Sequence, residues 1–81
     1  MHFVDNGIFK TSDTSLASFL MMRGYKLIKV ELLTDGQGLF LFDESPELLD
    51  LVDPFYRGEL YRYFRIYKNL LKKVKNERIE P

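Results

Sequence analysis

The sequence predicts a single small α+β domain in which three helices pack on a small antiparallel sheet, in the order β-α-β-β-α-α. Two observations predict this class: alternating apolar residues around a glycine-rich turn indicate a β-hairpin, and helix-start signals followed by 3.6-residue periodicity indicate helices. The 81 residues are 46% hydrophobic and 15% aromatic, which is enough for one core. We expect one domain over residues 1–81, with residues 1–7 as a mobile lead-in and residues 76–81 as a mobile tail.

The first elements are a short strand and a helix. Asn6-Gly7 is a strong turn signal, and residues 8–10 after it are predicted to form a short N-terminal strand of the sheet. A helix is predicted over residues 13–23. Several side chains of Thr11-Ser-Asp-Thr-Ser15 can accept bonds from the free N–H groups at its start, Asp13 complements the helix dipole, and Gly24 can adopt the left-handed conformation after its end. Its apolar arc is wider than a one-sided helix needs, which indicates burial on two sides or a contact surface.

Residues 25–33 and 39–43 are predicted to form the β-hairpin. In its first strand Ile28, Val30 and Leu32 alternate with charged residues, so that one side should face the core. The second strand, Leu39-Phe-Leu-Phe42, is apolar on both faces. Such a strand is central in a sheet or covered on both sides, and the strand at residues 8–10 beside it would make it central.

Two further helices complete the predicted domain. Ser45-Pro46-Glu47 opens the second helix with an N-cap, a proline at the first position and an acid in the first turn, and Pro54 should end or kink it. The third helix, over residues 59–75, is amphipathic. We predict that its apolar face packs on the core; the residues of that face are Leu60, Phe64, Tyr67, Leu71 and Val74.

The formal net charge is zero, but the charges are segregated. Seven acids and no Lys or Arg lie between residues 31 and 54, whereas eight bases and three acids lie between residues 57 and 81. The two regions could neutralise one another within the fold or across a dimer, or they could form the charged surface that binds a partner. Without cysteine, an N-terminal signal or a membrane span, the chain is predicted to be cytoplasmic and not bound to a membrane.

The residues give no indication of catalysis. His2 is the only histidine and cysteine is absent, so one chain cannot assemble a Ser-His-Asp or Cys-His arrangement or a His/Cys zinc site. Acids at the start of the second helix, such as Glu47 and Asp50, are expected from the helix dipole alone. Gly36-Gln-Gly38 lacks the lysine and helix of a phosphate loop. We predict a protein that is not an enzyme and has no cofactor or metal.

The third helix carries the candidate nucleic-acid site. Its helical wheel places Tyr61 between Lys68 and Lys72 with Arg65 nearby, and a ring among cations suits stacking on a base while the cations meet phosphates. The alternative is a surface tyrosine held by cation–π contacts with Arg65 and Lys68. The predicted nucleic-acid-binding residues are Tyr61, Arg62, Arg65, Lys68, Lys72 and Lys73.

The competing hypothesis is a protein-interaction module, for instance an inhibitor or adaptor acting on a host protein. It would bind through the wide apolar arc of the first helix, with Phe19, Met21 and Met22, because methionine suits adaptable contact surfaces. The acidic middle segment, acting as a nucleic-acid mimic, is the other surface that it could use. In either case we predict a homodimer.

The segment from Phe9 to Gly24 contains Phe-x-Thr-x-Asp followed by Leu-Ala-x-x-Leu and a glycine. It resembles the opening of a family of short phage and bacterial proteins of unknown function. In that family a Phe-x-Phe strand, a Leu-rich helix with an aromatic pair and a closing helix follow, and Phe40-Leu-Phe42 and Phe55-Tyr56 match the first two. Pro54 departs from the pattern, and the residues before Asn6-Gly7 form an extension. The resemblance implies a viral or mobile-element setting and a non-enzymatic accessory role, and it brings no catalytic residue.

Overall fold

The computed structural model describes residues 1–79, with the side chains of residues 1–76. In these residues the elements alternate as an α+β domain, which confirms the predicted class. The strands are β1 (His2–Asp5), β2 (Ile8–Thr11), β3 (Leu27–Leu32) and β4 (Gly38–Asp43). The helices are α1 (Thr14–Met22), α2 (Pro46–Arg57) and α3 (Glu59–Ile79).

The four strands form one antiparallel sheet in the order β1-β2-β4-β3. The apolar strand β4 is central, between β2 and β3, as its composition predicted. Strand β1 was not predicted: its residues were assigned to the lead-in, yet they pair with β2 through the turn at Asn6 and Gly7, both of which have positive φ. Of the predicted tail, residues 76–79 continue α3, and residues 80 and 81 lie outside the described part of the chain.

The core lies between one face of the sheet and the helices α1 and α2. Its members are all less than 9% exposed and come from β2, β4, α1 and α2: Phe9, Leu16, Ala17, Leu20, Phe42, Leu48, Val52 and Phe55. Helix α1 ends as predicted. The N–H of Gly24 donates to the carbonyl of Met21 and that of Tyr25 to the carbonyl of Leu20, the two bonds of a Schellman motif, and Gly24 has φ +97°.

Helix α2 does not end at Pro54, which was one of the two predicted effects of that proline. It begins with Ser45 as N-cap and continues through Pro54 to Arg57. Pro54 removes the bond to the carbonyl of Asp50, but Asp50 is exposed and water can satisfy that carbonyl. The last turn is stabilised because the Phe55 side chain after the proline is 5% exposed within the core.

Two predicted core faces are exposed. On β3, the side chains of Ile28, Val30 and Leu32 are 46%, 44% and 83% exposed, because β3 is an edge strand and the core is built from β2 and β4. On α3, four of the five predicted core side chains are each about half exposed, and Phe64 is less exposed than they are but not fully buried; the four are Leu60, Tyr67, Leu71 and Val74. The predicted core role of the α3 face was therefore wrong.

The reason for the exposure of α3 lies in how it is attached. The chain leaves α2 through Gly58, which is extended (φ −89°, ψ 172°), and among the elements α3 packs mainly against α2. The helix-facing side of β2 and β4 is already covered by α1 and α2. A 21-residue helix attached in this way extends past the core, and the molecule measures 51 × 32 × 18 Å along its principal axes.

Candidate nucleic-acid interface

Tyr61 attaches α3 to the rest of the domain. Its ring centroid lies 4.8 Å from that of Tyr56 and 5.4 Å from that of Phe55, both at steep angles, and the ring is half-buried against the core. The guanidinium carbon of Arg65 lies 5.9 Å from the same ring. These edge-to-face contacts are those of a packed aromatic cluster. We therefore assign Tyr61 to packing and not to base stacking.

Because Tyr61 faces the domain, the cations next to it on the helical wheel face the domain too. Arg65, Lys68, Lys72 and Lys75 line one wall of a groove of about 830 Å³, with the apolar side chains of Phe64, Leu71 and Val74 beside them. Met1, Asp13 and Ser15 lie on the opposite wall. The groove thus combines four cations with an apolar lining.

The predicted cations are all exposed, and none of them forms a salt bridge with another described side chain. The structure adds Lys75, which lines the groove and which the prediction left out although its basic character was visible in the sequence. We call this set the basic side of α3; it comprises Arg62, Arg65, Lys68, Lys72, Lys73 and Lys75. At 1.5 Å per residue it extends over roughly 20 Å of helix.

The carboxylate on the opposite wall, Asp13, is held by several donors. It accepts bonds from the N–H groups of Ser15 (2.9 Å) and Leu16 (3.4 Å) as the N-cap of α1, and from the hydroxyls of Ser15 and Tyr56, each at 2.6 Å. Burial alone would raise the pKa of Asp13, but these hydrogen bonds outweigh it and hold the pKa below its ordinary value. Burial and the bond to Asp13 raise the pKa of Tyr56.

A comparison with protein-family models places residues 6–80 in a family described as a domain of unknown function, DUF5659. The chain belongs to the DUF5659 family. The matched region begins at Asn6, so that His2–Asp5, the whole of β1, precedes it. No curated protein and no solved structure was found to match the chain. DUF5659 is a family of unknown function, as the resemblance of the opening segment implied, whereas the phage setting stays a prediction.

The second predicted surface of this DUF5659 domain, on α1, is divided by the fold. Phe19 packs inward, with its ring centroid 4.7 Å from that of Phe55, whereas Met21 and Met22 are 50% and 67% exposed. Three acids of the middle segment, Glu47, Asp50 and Asp53, are exposed on α2, and Asp53 pairs with Arg57 at 3.2 Å. The fold therefore leaves the two methionines, but not Phe19, on the surface.

Two features of the DUF5659 structure concern the predicted absence of catalytic groups: the position of His2 and the arrangement of the side chains that could hold a metal ion. His2 stacks on Tyr56 at 5.9 Å and lies 5.7 Å from the ring of Phe9, so it packs beside the core. Over the described residues, no three His, Cys, Asp or Glu side chains come together to hold a metal ion. Across the same part of the chain, no helix is both long enough and apolar enough to span a membrane.

Proposed function

We propose that the protein is a non-catalytic accessory module of phage or mobile-element type that acts in the cytoplasm and binds nucleic acid through the basic side of α3. One observation carries the proposal: six exposed cations follow one another along the helix without a salt bridge to another described side chain. Phosphate groups are the partners that such a row suits, because neutralising them releases condensed counterions. The setting is the one that the resemblance of the opening segment implies.

The chemistry of this side of α3 favours binding without sequence preference. Lysine dominates it, and lysine meets phosphates as a flexible point charge. Arg65 lies over the Tyr61 ring, and Tyr61 itself packs on Phe55 and Tyr56, so the one ring among these cations is not held out to stack on a base. Phosphate contacts position a protein on nucleic acid but do not read its sequence. The proposal includes the predicted homodimer, which would present two basic sides.

The double substitution Lys68→Ala/Lys72→Ala should weaken binding to both single- and double-stranded nucleic acid and reduce the salt dependence of affinity. Each lost phosphate contact lowers the slope of log K against log salt concentration by about 0.9 for double strands, so we expect a loss of roughly 1–2 in that slope. Alanine preserves the helix. Gel shifts with labelled DNA and RNA between low and physiological salt measure the effect.

The matched control is Lys26→Ala/Lys29→Ala, which removes the same charge from exposed positions at and just before β3, away from α3. It should leave the slope nearly unchanged. Affinity that does not vary with salt in the unmodified protein would refute the proposal. Equal losses in the two double variants would also contradict it, because they would show that net charge and not the basic side of α3 governs binding.

The second candidate function, a module that binds a host protein, is favoured by one observation, the exposure of Met21 and Met22. Two neighbouring flexible apolar side chains at the end of a helix suit an adaptable contact. A tagged protein should then retain one host protein at a fixed ratio, and the variant Met21→Ser/Met22→Ser should lose it. If the basic-side variant lost the same partner while the methionine variant kept it, the methionines would not be the contact.

A further inference from the structure

One side of α3 is apolar and lies mostly outside the groove: of its side chains, those of Phe64, Leu71 and Val74 line the groove and the others do not. Seven of its side chains are between 46% and 65% exposed, and at 100° per residue they fall, with half-buried Phe64, within an arc of roughly 160°. We call this set the apolar stripe of α3. The seven exposed members are Leu60, Tyr63, Ile66, Tyr67, Leu70, Leu71 and Val74.

A stripe of this kind is unusual on a free surface. Isolated exposed apolar residues are ordinary, but contiguous patches above a few hundred Å² indicate an interface. The seven side chains, at about half exposure each, present roughly 700 Å², close to the about 800 Å² that each partner contributes to a standard interface. The area is therefore sufficient for a specific complex without any other surface.

We propose that the apolar stripe is the interface between two copies of this chain, which pair through antiparallel α3 helices. The stripe runs from Leu60 to Val74, so that Tyr67 lies at its middle and would lie near the two-fold axis. A two-fold interface places the same patch on both copies. Leu60 of one copy would then lie opposite Val74 of the other, and Leu70 opposite Phe64. This pairing does not depend on nucleic-acid binding.

Charge favours the antiparallel arrangement. Among the side chains of α3 that the structure describes, up to residue 76, there is one acid, Glu59, in the first turn, and the last cation is Lys75. Antiparallel pairing brings Glu59 of each copy close to Lys73 of the other, because both lie along the same edge of the stripe, and it opposes the two helix dipoles. A parallel pair would instead place each cation beside the same cation of the other chain, where like charges repel. The other cations of the basic side point away from the seam in the antiparallel pair.

The edge strand β3 is a second exposed apolar surface that could join two copies. Its Leu32 is more exposed than any side chain of the stripe, at 83%. Only Ile28 and Val30 lie exposed beside it on that strand, so the patch is less than half the size of the stripe. This patch offers little area for a dimer interface. A substitution at Leu32 therefore serves as the matched control.

The first test compares Leu70→Glu with Leu32→Glu by sedimentation equilibrium. Both leucines are exposed in the single chain, so neither change should unfold it. The unmodified protein should have twice the 9.6 kDa mass of one chain at micromolar concentration. Leu70→Glu should raise the dissociation constant by roughly 100-fold, because each dimer loses two buried leucines. Leu32→Glu should leave it within roughly threefold.

Three outcomes of this test would overturn the proposal. One is a monomer at every concentration up to the millimolar range. Another is a dimer that Leu32→Glu dissociates and Leu70→Glu does not. The third is a monomer that binds vesicles containing phosphatidylserine and loses that binding in Leu70→Glu, because the stripe would then cover a lipid surface. The variant Lys68→Ala/Lys72→Ala distinguishes the two proposals. If it loses nucleic-acid binding but remains a dimer, the helices pair independently of nucleic-acid binding.

The orientation of the helices is tested by single cysteines, since the chain has none. Under mild oxidation Tyr67→Cys should give a covalent dimer, because two copies of the central position lie together. Tyr63→Cys should not, because an antiparallel pair places the two copies of position 63 about 12 Å apart along the axis. Rapid cross-linking of both variants would indicate a parallel pair and overturn the antiparallel assignment.

Discussion

Phe55→Ala is expected to lower the free energy of unfolding by about 3 kcal/mol. The Phe55 ring is 5% exposed and lies against three other rings, those of Phe19, Tyr56 and Tyr61. These rings come from all three helices, so the substitution leaves a cavity where α1, α2 and α3 meet. Urea denaturation followed by far-ultraviolet circular dichroism, at a fixed chain concentration, measures the loss.

The matched control is Phe3→Ala, the same chemical change on the edge strand β1, where the ring is 39% exposed. It should cost about 1 kcal/mol. Phe55→Ala should in addition accelerate amide hydrogen exchange in the first turns of α3, because Tyr61 loses part of the surface that holds it. If the two variants lost equal stability, or if exchange in α3 stayed unchanged, Phe55 would not be what attaches α3.

The sequence was informative wherever local chemistry determines structure. The start of α1 at the polar segment of residues 11–15, the left-handed Gly24 and the Ser45-Pro46 helix start are each determined by a few neighbouring residues, and each was predicted. Which of those polar side chains caps α1, Asp13, was not predicted. The central position of β4 was predicted for a similar reason, because a strand that is apolar on both faces must be covered on both. Strand β1 was missed because its four residues are all exposed and show no alternation.

The orientation of α3 could not be predicted from its pattern. Periodicity shows which residues share a side of a helix, but it does not show whether that side is covered by the same chain or by another molecule. Here the packing of Tyr61 on Phe55 and Tyr56 sets the orientation of α3, and it turns four of the six cations of the basic side toward the groove. The same contact removes Tyr61 from the predicted nucleic-acid site and leaves the apolar stripe exposed.

Asp13→Ala should destabilise the protein by about 2 kcal/mol, a value that allows for the partial solvent exposure of the carboxylate. The substitution removes the N-cap of α1 and the 2.6 Å bond from the Tyr56 hydroxyl, which joins the start of α1 to the end of α2. Asp13→Asn is the matched variant, because asparagine still caps a helix but carries no charge. It should lose less stability than Asp13→Ala at neutral pH.

The pKa shifts of Asp13 and Tyr56 predict how stability depends on pH. Because the pKa of Asp13 is lowered in the folded state, its contribution is present above the unfolded value of about 4 and is lost as pH falls through the folded pKa. Because the pKa of Tyr56 is raised, its contribution is present below the unfolded value of about 10 and is lost as pH rises above it.

Unfolding measured by urea from pH 3 to pH 11 separates the two contributions. Asp13→Asn should flatten the decline of stability on the acid side, since the variant has no carboxylate to protonate at that position. Tyr56→Phe should flatten the decline on the alkaline side, since it has no hydroxyl to ionise. An acid-side decline as steep in Asp13→Asn as in the unmodified protein would show that other carboxylates govern acid unfolding. The Asp13–Tyr56 bond would then be a local contact between α1 and α2 with no measurable effect on the pH range of the fold.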